Sequence, residues 1–176
     1  MRPATVSEKA PDFVKEVLSC IIEGRGDELP VSSFPIDGTY PTGTSQWEKR
    51  NLAQEIPVWE TKICIECGKC AFICPHSAIR IKVYEPSVIH QAPASFKSSE
   101  AREPQWKGLK YSIQVAPEDC TGCTLCVDIC PIRDKRQANR KALNMAPQPA
   151  LREQEKPNWD FFLQLPDLTP EQCDIS

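Results

Sequence analysis

Two cysteine strings constrain this chain more than anything else in it. Cys64, Cys67, Cys70 and Cys74 are separated by two, two and three residues and followed by Pro75; Cys120, Cys123, Cys126 and Cys130 repeat the spacing ahead of Pro131. Eight of the ten cysteines fall in these frames. The spacing is one by which thiolates hold cubane iron–sulfur clusters. Three cysteines at two-residue gaps wrap a loop around three irons, with backbone N–H groups turned toward the sulfurs. A short helix carries the fourth cysteine away, and in two-cluster proteins that residue ligates the other cluster. The expected ligand sets are Cys64, Cys67, Cys70 and Cys130 for one 4Fe–4S cluster, and Cys120, Cys123, Cys126 and Cys74 for a second. Such crossing ties the two halves together and couples cluster assembly to folding.

Zinc is the main competitor, but four-cysteine zinc sites pair two knuckles across a longer gap, which consecutive two-residue gaps fit poorly. His76 and His90 do not make a Rieske-type site, because no cysteine is missing from either frame. His76 reads as an ordinary residue after the Cys-Pro turn. Cys20 and Cys173 fit neither frame and are expected to be packing residues, not ligands. Gly68 and Gly122, inside the cysteine loops, read either as turn glycines or as places where bare backbone approaches cluster sulfur.

Composition sets the scale around these sites. With 17 prolines in 176 residues and 7% aromatics, against an average of about 5% proline, a modest core with irregular extensions is expected. A net charge of −3 gives no reason to expect nucleic acid or an anionic membrane as partner. No apolar run is long enough to span a bilayer and the start does not resemble a signal peptide. Free thiolates as ligands place the chain in the cytoplasm or another reducing compartment.

Residues 11–23 predict a short amphipathic helix, with Phe13, Val14, Val17, Leu18, Ile21 and Ile22 at helical spacing and Gly24 as its stop. From Gly26 to about Arg50, proline and glycine punctuate an extended arm or a set of turns. An internal repeat follows. The first string precedes an alternating strand at Ala78–Val83, and the second follows one at Tyr111–Val115. Each string closes with a short helix, Cys70 to Cys74 and Cys126 to Cys130, ended by its proline. The fold expected is α+β, a pseudo-twofold two-cluster core at 56–146 with an inserted surface excursion at about 85–108. An N-terminal helix and arm would occupy 1–55. Residues 147–176 would form an irregular C-terminal arm, leaving Trp47, Trp159, Phe161 and Phe162 exposed and inclined to self-association.

The basic run Arg133, Lys135, Arg136, Arg140 and Lys141, with Asp134 within it, reads as a solvated charged insertion, or as a docking patch for an acidic electron acceptor. Gly24 and Gly26 make no dinucleotide fingerprint. No nucleophile–base constellation is present, so no catalytic residue is assigned.

The text around the strings resembles a known family. Leu29-Pro-Val-Ser, Asp37-Gly-Thr-Tyr-Pro-Thr-Gly-Thr, Trp47-Glu-Lys-Arg-Asn, Ile56-Pro-Val-Trp, Tyr111-Ser-Ile-Gln-Val-Ala-Pro-Glu-Asp-Cys and Asn158-Trp-Asp-Phe-Phe-Leu are similar to the ferredoxin-like domain of pyruvate:ferredoxin (flavodoxin) oxidoreductase and its flanks. The resemblance implies part of a thiamine-diphosphate-dependent enzyme that oxidatively decarboxylates pyruvate with coenzyme A. Electrons would pass through three 4Fe–4S clusters to ferredoxin or flavodoxin, two of them held by the eight cysteines named above. The partners implied are the remaining domains or subunits of a 2-oxoacid oxidoreductase. No thiamine site is recognisable before Ser176, so pyruvate turnover by this chain alone is not expected. A free-standing ferredoxin, or an electron-transfer subunit of another redox complex, is the alternative.

Overall fold

The computed structural model describes residues 5–49, 51–137 and 139–173, with backbone only at Pro170 and Cys173. The chain divides into two compact units, Met1–Arg50 and Asn51–Ser176. In the first, helical winding runs over residues 12–22. Its Val14–Leu18 stretch is π-wound and continues into α1, Ser19–Ile22. Val14 and Leu18 meet Ala10 in a small core flanked by Val6, Ile22 and Trp47. Gly24 takes a left-handed φ of 76° and ends the helix as its position predicts. Beyond it lie only short 3₁₀ turns, at Gly26–Glu28, Val31–Ser33 and Thr44–Trp47. Val31 and Ile36 on this stretch are fully exposed, as an arm without its own core requires.

The second unit is a small α+β fold. β1 (Glu55–Trp59) pairs antiparallel with β5 (Leu143–Pro147), Glu55 opposite Pro147 and Trp59 opposite Leu143. β2 (Ile79–Tyr84) pairs antiparallel with β4 (Lys110–Val115), Ile79 opposite Val115. β3 (Ser99–Glu100) adds to the free edge of β4, so the inserted excursion supplies a strand to this sheet. Helices α2 (Lys69–Ile73) and α3 (Leu125–Asp128) each lie within a cysteine string. The two helices lie against each other. Ile79, Val83, Tyr111, Ile113, Val115, Trp59 and Leu143 form one core with Cys64, Cys70 and Cys126.

The C-terminal segment corrects the sequence expectation. Gln148–Gln164 is a 17-residue helix, α4, where an irregular arm was expected. Pro149 sits in its first turn, where no N–H is needed, and Pro157 is accommodated inside it. The helix has no apolar stripe because half of its buried face is polar: Gln148 and Asn158 are buried beside Trp159 and Phe162. Gln148 Nε2 donates to Asn51 Oδ1 at 2.9 Å, and Asn158 Oδ1 accepts from Ser95 Oγ at 2.9 Å. Trp159, Phe162 and Leu165 pack with Ala78, Tyr84 and Ala116. Arg80 lies over the Trp159 ring at 5.4 Å and Lys82 over Phe162 at 5.7 Å. The expected exposure of Trp159 and Phe162 is therefore wrong, and Trp47 and Phe161 are half-buried. The argument for self-association falls with them.

Helix α4 also explains β4. Its alternation of Tyr111, Ile113 and Val115 with Ser112 and Gln114 suggests one wet face, yet all five are buried. Gln114 Nε2 donates to Glu155 Oε2 on α4 at 2.7 Å. Ser112 Oγ shares a 2.7 Å hydrogen bond with Tyr84 Oη and donates to the Lys97 carbonyl at 2.8 Å. The polar face is covered and satisfied by protein, as buried polar groups must be.

Candidate iron–sulfur centres

Each cysteine string opens between a strand and a short helix, so three thiols are presented from one turn. Cys64, Cys67 and Cys70 line a cavity that encloses about 340 Å³, part of it open to solvent, together with Cys130. Cys120, Cys123 and Cys126 line a second, also of about 340 Å³, together with Cys74. The structure thus brings all eight named cysteines into two groups of four, each completed by the last thiol of the opposite string. His76 is exposed at the rim of the second cavity, and His90 lies in the 3₁₀ turn Pro86–Gln91. Cys20 is buried in the other unit and its thiol donates to the Arg25 carbonyl at 3.1 Å. The side chain of Cys173 lies outside the described residues.

The turns repeat with a twist. In both strings the second residue after the first cysteine and the residue after the second cysteine have left-handed backbone. In the first string these are Glu66 (φ 61°) and Gly68 (φ 69°); in the second, Gly122 (φ 71°) and Thr124 (φ 65°). The left-handed turn aims a backbone N–H at the first thiol of each string: Glu66 N–H reaches Cys64 Sγ and Gly122 N–H reaches Cys120 Sγ, both at 3.4 Å. A Cβ at Gly122 would also crowd the Glu55 carbonyl oxygen, at 3.2 Å. At Glu66 the side chain has a use. It is only 1% exposed, and its carboxylate accepts the Arg102 backbone N–H at 2.9 Å, with the Arg102 guanidinium 3.8 Å away. The excursion is thereby fastened to the first cysteine loop, a contact without signal in the sequence.

Thr124 has a weaker justification, an exposed 3.1 Å bond from Oγ1 to Asp128 Oδ2. A β-branched residue in this conformation costs about 1–2 kcal/mol. Thr124→Gly should therefore stabilise the cluster-loaded protein by about 1 kcal/mol, read by anaerobic urea unfolding. A loss of stability would show that the bond to Asp128 matters more than the strain.

The thiols are poor acids where they stand. Burial pushes Cys70 up to about 11 and Cys126 up to about 12, with neighbouring cysteine charges adding to both. Burial likewise raises Cys64 and Cys120, partly offset by the N–H groups of Glu66 and Gly122. Thiols in such surroundings keep their protons until a metal displaces them. A single zinc ion, with bonds of about 2.3 Å, would draw its sulfurs to within about 3.8 Å of one another. Among the described residues no three Cys, His, Asp or Glu side chains are gathered to hold one ion. Thiols ringing a cavity, with N–H donors on their sulfurs, fit a cluster that fills the space between them. The basic run is partly consumed by structure: Lys141 Nζ caps α3 through the Val127 carbonyl at 2.6 Å, and Arg140 pairs with Glu60 at 2.6 Å.

Comparison with known proteins agrees with this reading. Residues 63–133 match the 4Fe-4S dicluster domain, and residues 1–53 match EKR, a domain of unknown function. Over 167 residues, 95% of the chain, it is 58% identical to a putative pyruvate-flavodoxin oxidoreductase of Synechocystis sp.. It is 52% identical to a probable pyruvate-flavodoxin oxidoreductase of Escherichia coli over 95% of the chain. Against the pyruvate:ferredoxin oxidoreductase of Moorella thermoacetica it is 44% identical over 94% of the chain. The chain spans about 14% of the length of each of these relatives. Among the described residues no helix is long and apolar enough to cross a membrane. Two 4Fe–4S clusters are its cofactors, and the chain is homologous to the iron–sulfur segment of pyruvate-flavodoxin oxidoreductases.

Proposed function

We propose that this chain is the electron-relay module of a 2-oxoacid oxidoreductase, working in a reducing, cytoplasmic setting. Electrons enter from a thiamine-diphosphate site in the remaining domains or subunits and leave to ferredoxin or flavodoxin. Cys64, Cys67, Cys70 and Cys130 ligate one cluster; Cys120, Cys123, Cys126 and Cys74 ligate the other. The clusters supply reversible one-electron storage. The chain's residues do the rest: eight thiolates fix the two centres, the Glu66 and Gly122 amides favour charge on sulfur, and the shared core holds the centres near each other. Two strand–helix–strand halves, β1–α2–β2 and β4–α3–β5, exchange their last cysteine in a pseudo-twofold arrangement.

The observation that carries this reading is kinship with pyruvate-flavodoxin oxidoreductases along both units, well beyond the cysteine strings. A free ferredoxin would need only the strings and their sheets. Anaerobic purification should give a brown protein with about eight irons and as many acid-labile sulfides per chain. Mixed with the thiamine-binding remainder, pyruvate and coenzyme A, it should restore reduction of a ferredoxin or flavodoxin. A colourless protein with stoichiometric zinc would overturn the cofactor assignment. A fully loaded protein that neither associates nor restores reduction would overturn the relay.

A further inference from the structure

Two buried side-chain polar atoms among the described residues have no hydrogen-bond partner, Trp59 Nε1 and Tyr111 Oη. Both lie in the core that contains Cys64 and Cys70 of the first string, and with them Cys126 of the second. Their rings lie 6.0 Å apart, tilted by 60°. The Trp59 indole N–H neighbours the Cys64 thiol, yet does not meet the sulfur at ordinary hydrogen-bond geometry. The Tyr111 hydroxyl neighbours the thiols of Cys64 and Cys70. Neither residue lines the cavity itself. They back onto the two thiols from the protein side.

Leaving buried donors unmet is costly, and a neutral thiol is a weak acceptor. A cluster-bound thiolate is a strong one. The second string has no equivalent pair. The step that carries Cys64 onto Cys120 carries Trp59 onto Val115, and the reverse step carries Tyr111 onto Glu55. Val115 is apolar and Glu55 is exposed. The polar side chains around the second cavity, His76, Thr121 and Thr124, are all open to water.

We propose that Trp59 Nε1–H and Tyr111 Oη–H donate to the sulfurs of Cys64 and Cys70 in the loaded protein, and that this unmatched pair makes the first-string cluster the higher-potential centre. The inference rests on the ligand sets given under the proposed function. Reduction adds one negative charge to the cluster and its sulfurs, and donors aimed at sulfur favour that state. A single electron passing from the reduced second cluster to the oxidised first then moves downhill; the second is oxidised, the first reduced, and no proton or group is transferred. Trp59 and Tyr111 are positioning residues for the electron, acting through the ligands.

The test is an anaerobic redox titration of the loaded full chain, followed by electron paramagnetic resonance. Cys67→Ser, which perturbs a first-string ligand, identifies the first-string signal, and that signal should belong to the higher-midpoint centre. Tyr111→Phe and Trp59→Phe should each make reduction of that centre about tenfold less favourable, 59 mV for a one-electron couple, leaving the other centre in place. A change below twofold, an equal change at both centres, or a first-string centre of lower midpoint would overturn the proposal. If Trp59→Phe fails to take up iron, Tyr111→Phe, which removes a single oxygen, decides alone. A wild-type chain lacking its eight irons would overturn the ligand sets and this inference together. Full iron with unmoved midpoints would overturn the inference only.

Discussion

Replacing Cys74 by alanine should destroy the cluster of the second string and spare that of its own. Cys74 ends α2 in an extended conformation, with φ −67° and ψ 111°, and Pro75 forbids the helix from continuing. The chain turns there, and the thiol faces Cys120, Cys123 and Cys126 across the second cavity. Iron should fall from about eight to about four per chain, with the surviving resonance that of the centre sensitive to Cys67→Ser. Cys130→Ala should give the mirror result. Loss of the first-string centre alone in Cys74→Ala would show that each string serves itself.

The second large effect concerns α4. Phe162 is wholly buried, stacked on Trp159 at 5.6 Å and set against Tyr84 and Ala78. Phe162→Ala should cost about 3–5 kcal/mol, the range for deleting an enclosed aromatic. Anaerobic urea unfolding of the loaded protein reads this directly. Phe161 offers the contrast, being half-buried in an edge-on contact with Phe96 at 4.9 Å. Phe161→Ala should cost only about 1 kcal/mol. Equal effects from the two would mean that α4 lies on the sheet by a different face.

The cysteines and the strands beside them were legible because their chemistry depends on spacing. A thiol two residues from the next leaves few options, and Ile79, Ile81 and Val83 alternate as a covered strand must. The helix at Val14–Ile22 was legible for the same reason: Val14, Val17 and Leu18 recur at helical spacing. Helix α4 was hidden because Gln148, Glu155 and Asn158 attach it through hydrogen bonds, which leave no periodic apolar stripe, and because Pro149 and Pro157 read as breakers. β1 and β5 were hidden by Pro57 and Pro147 within short runs. Glu66 carries no signal in the sequence, since only the folded excursion brings Arg102 to it. Nothing in the order of Trp59 and Tyr111 along the chain says that both leave a polar tip unmet in one core.

Glu55 opposite Pro147, and Gln148 bound to Gln54 and Asn51, put the way into the cysteine-bearing core beside the way out. A core whose entrance and exit adjoin can be threaded into a longer polypeptide without stretching its host, like a bead held on a loop of string. The geometry suits a cassette that one large enzyme carries inside its own sequence and another assembly can borrow whole.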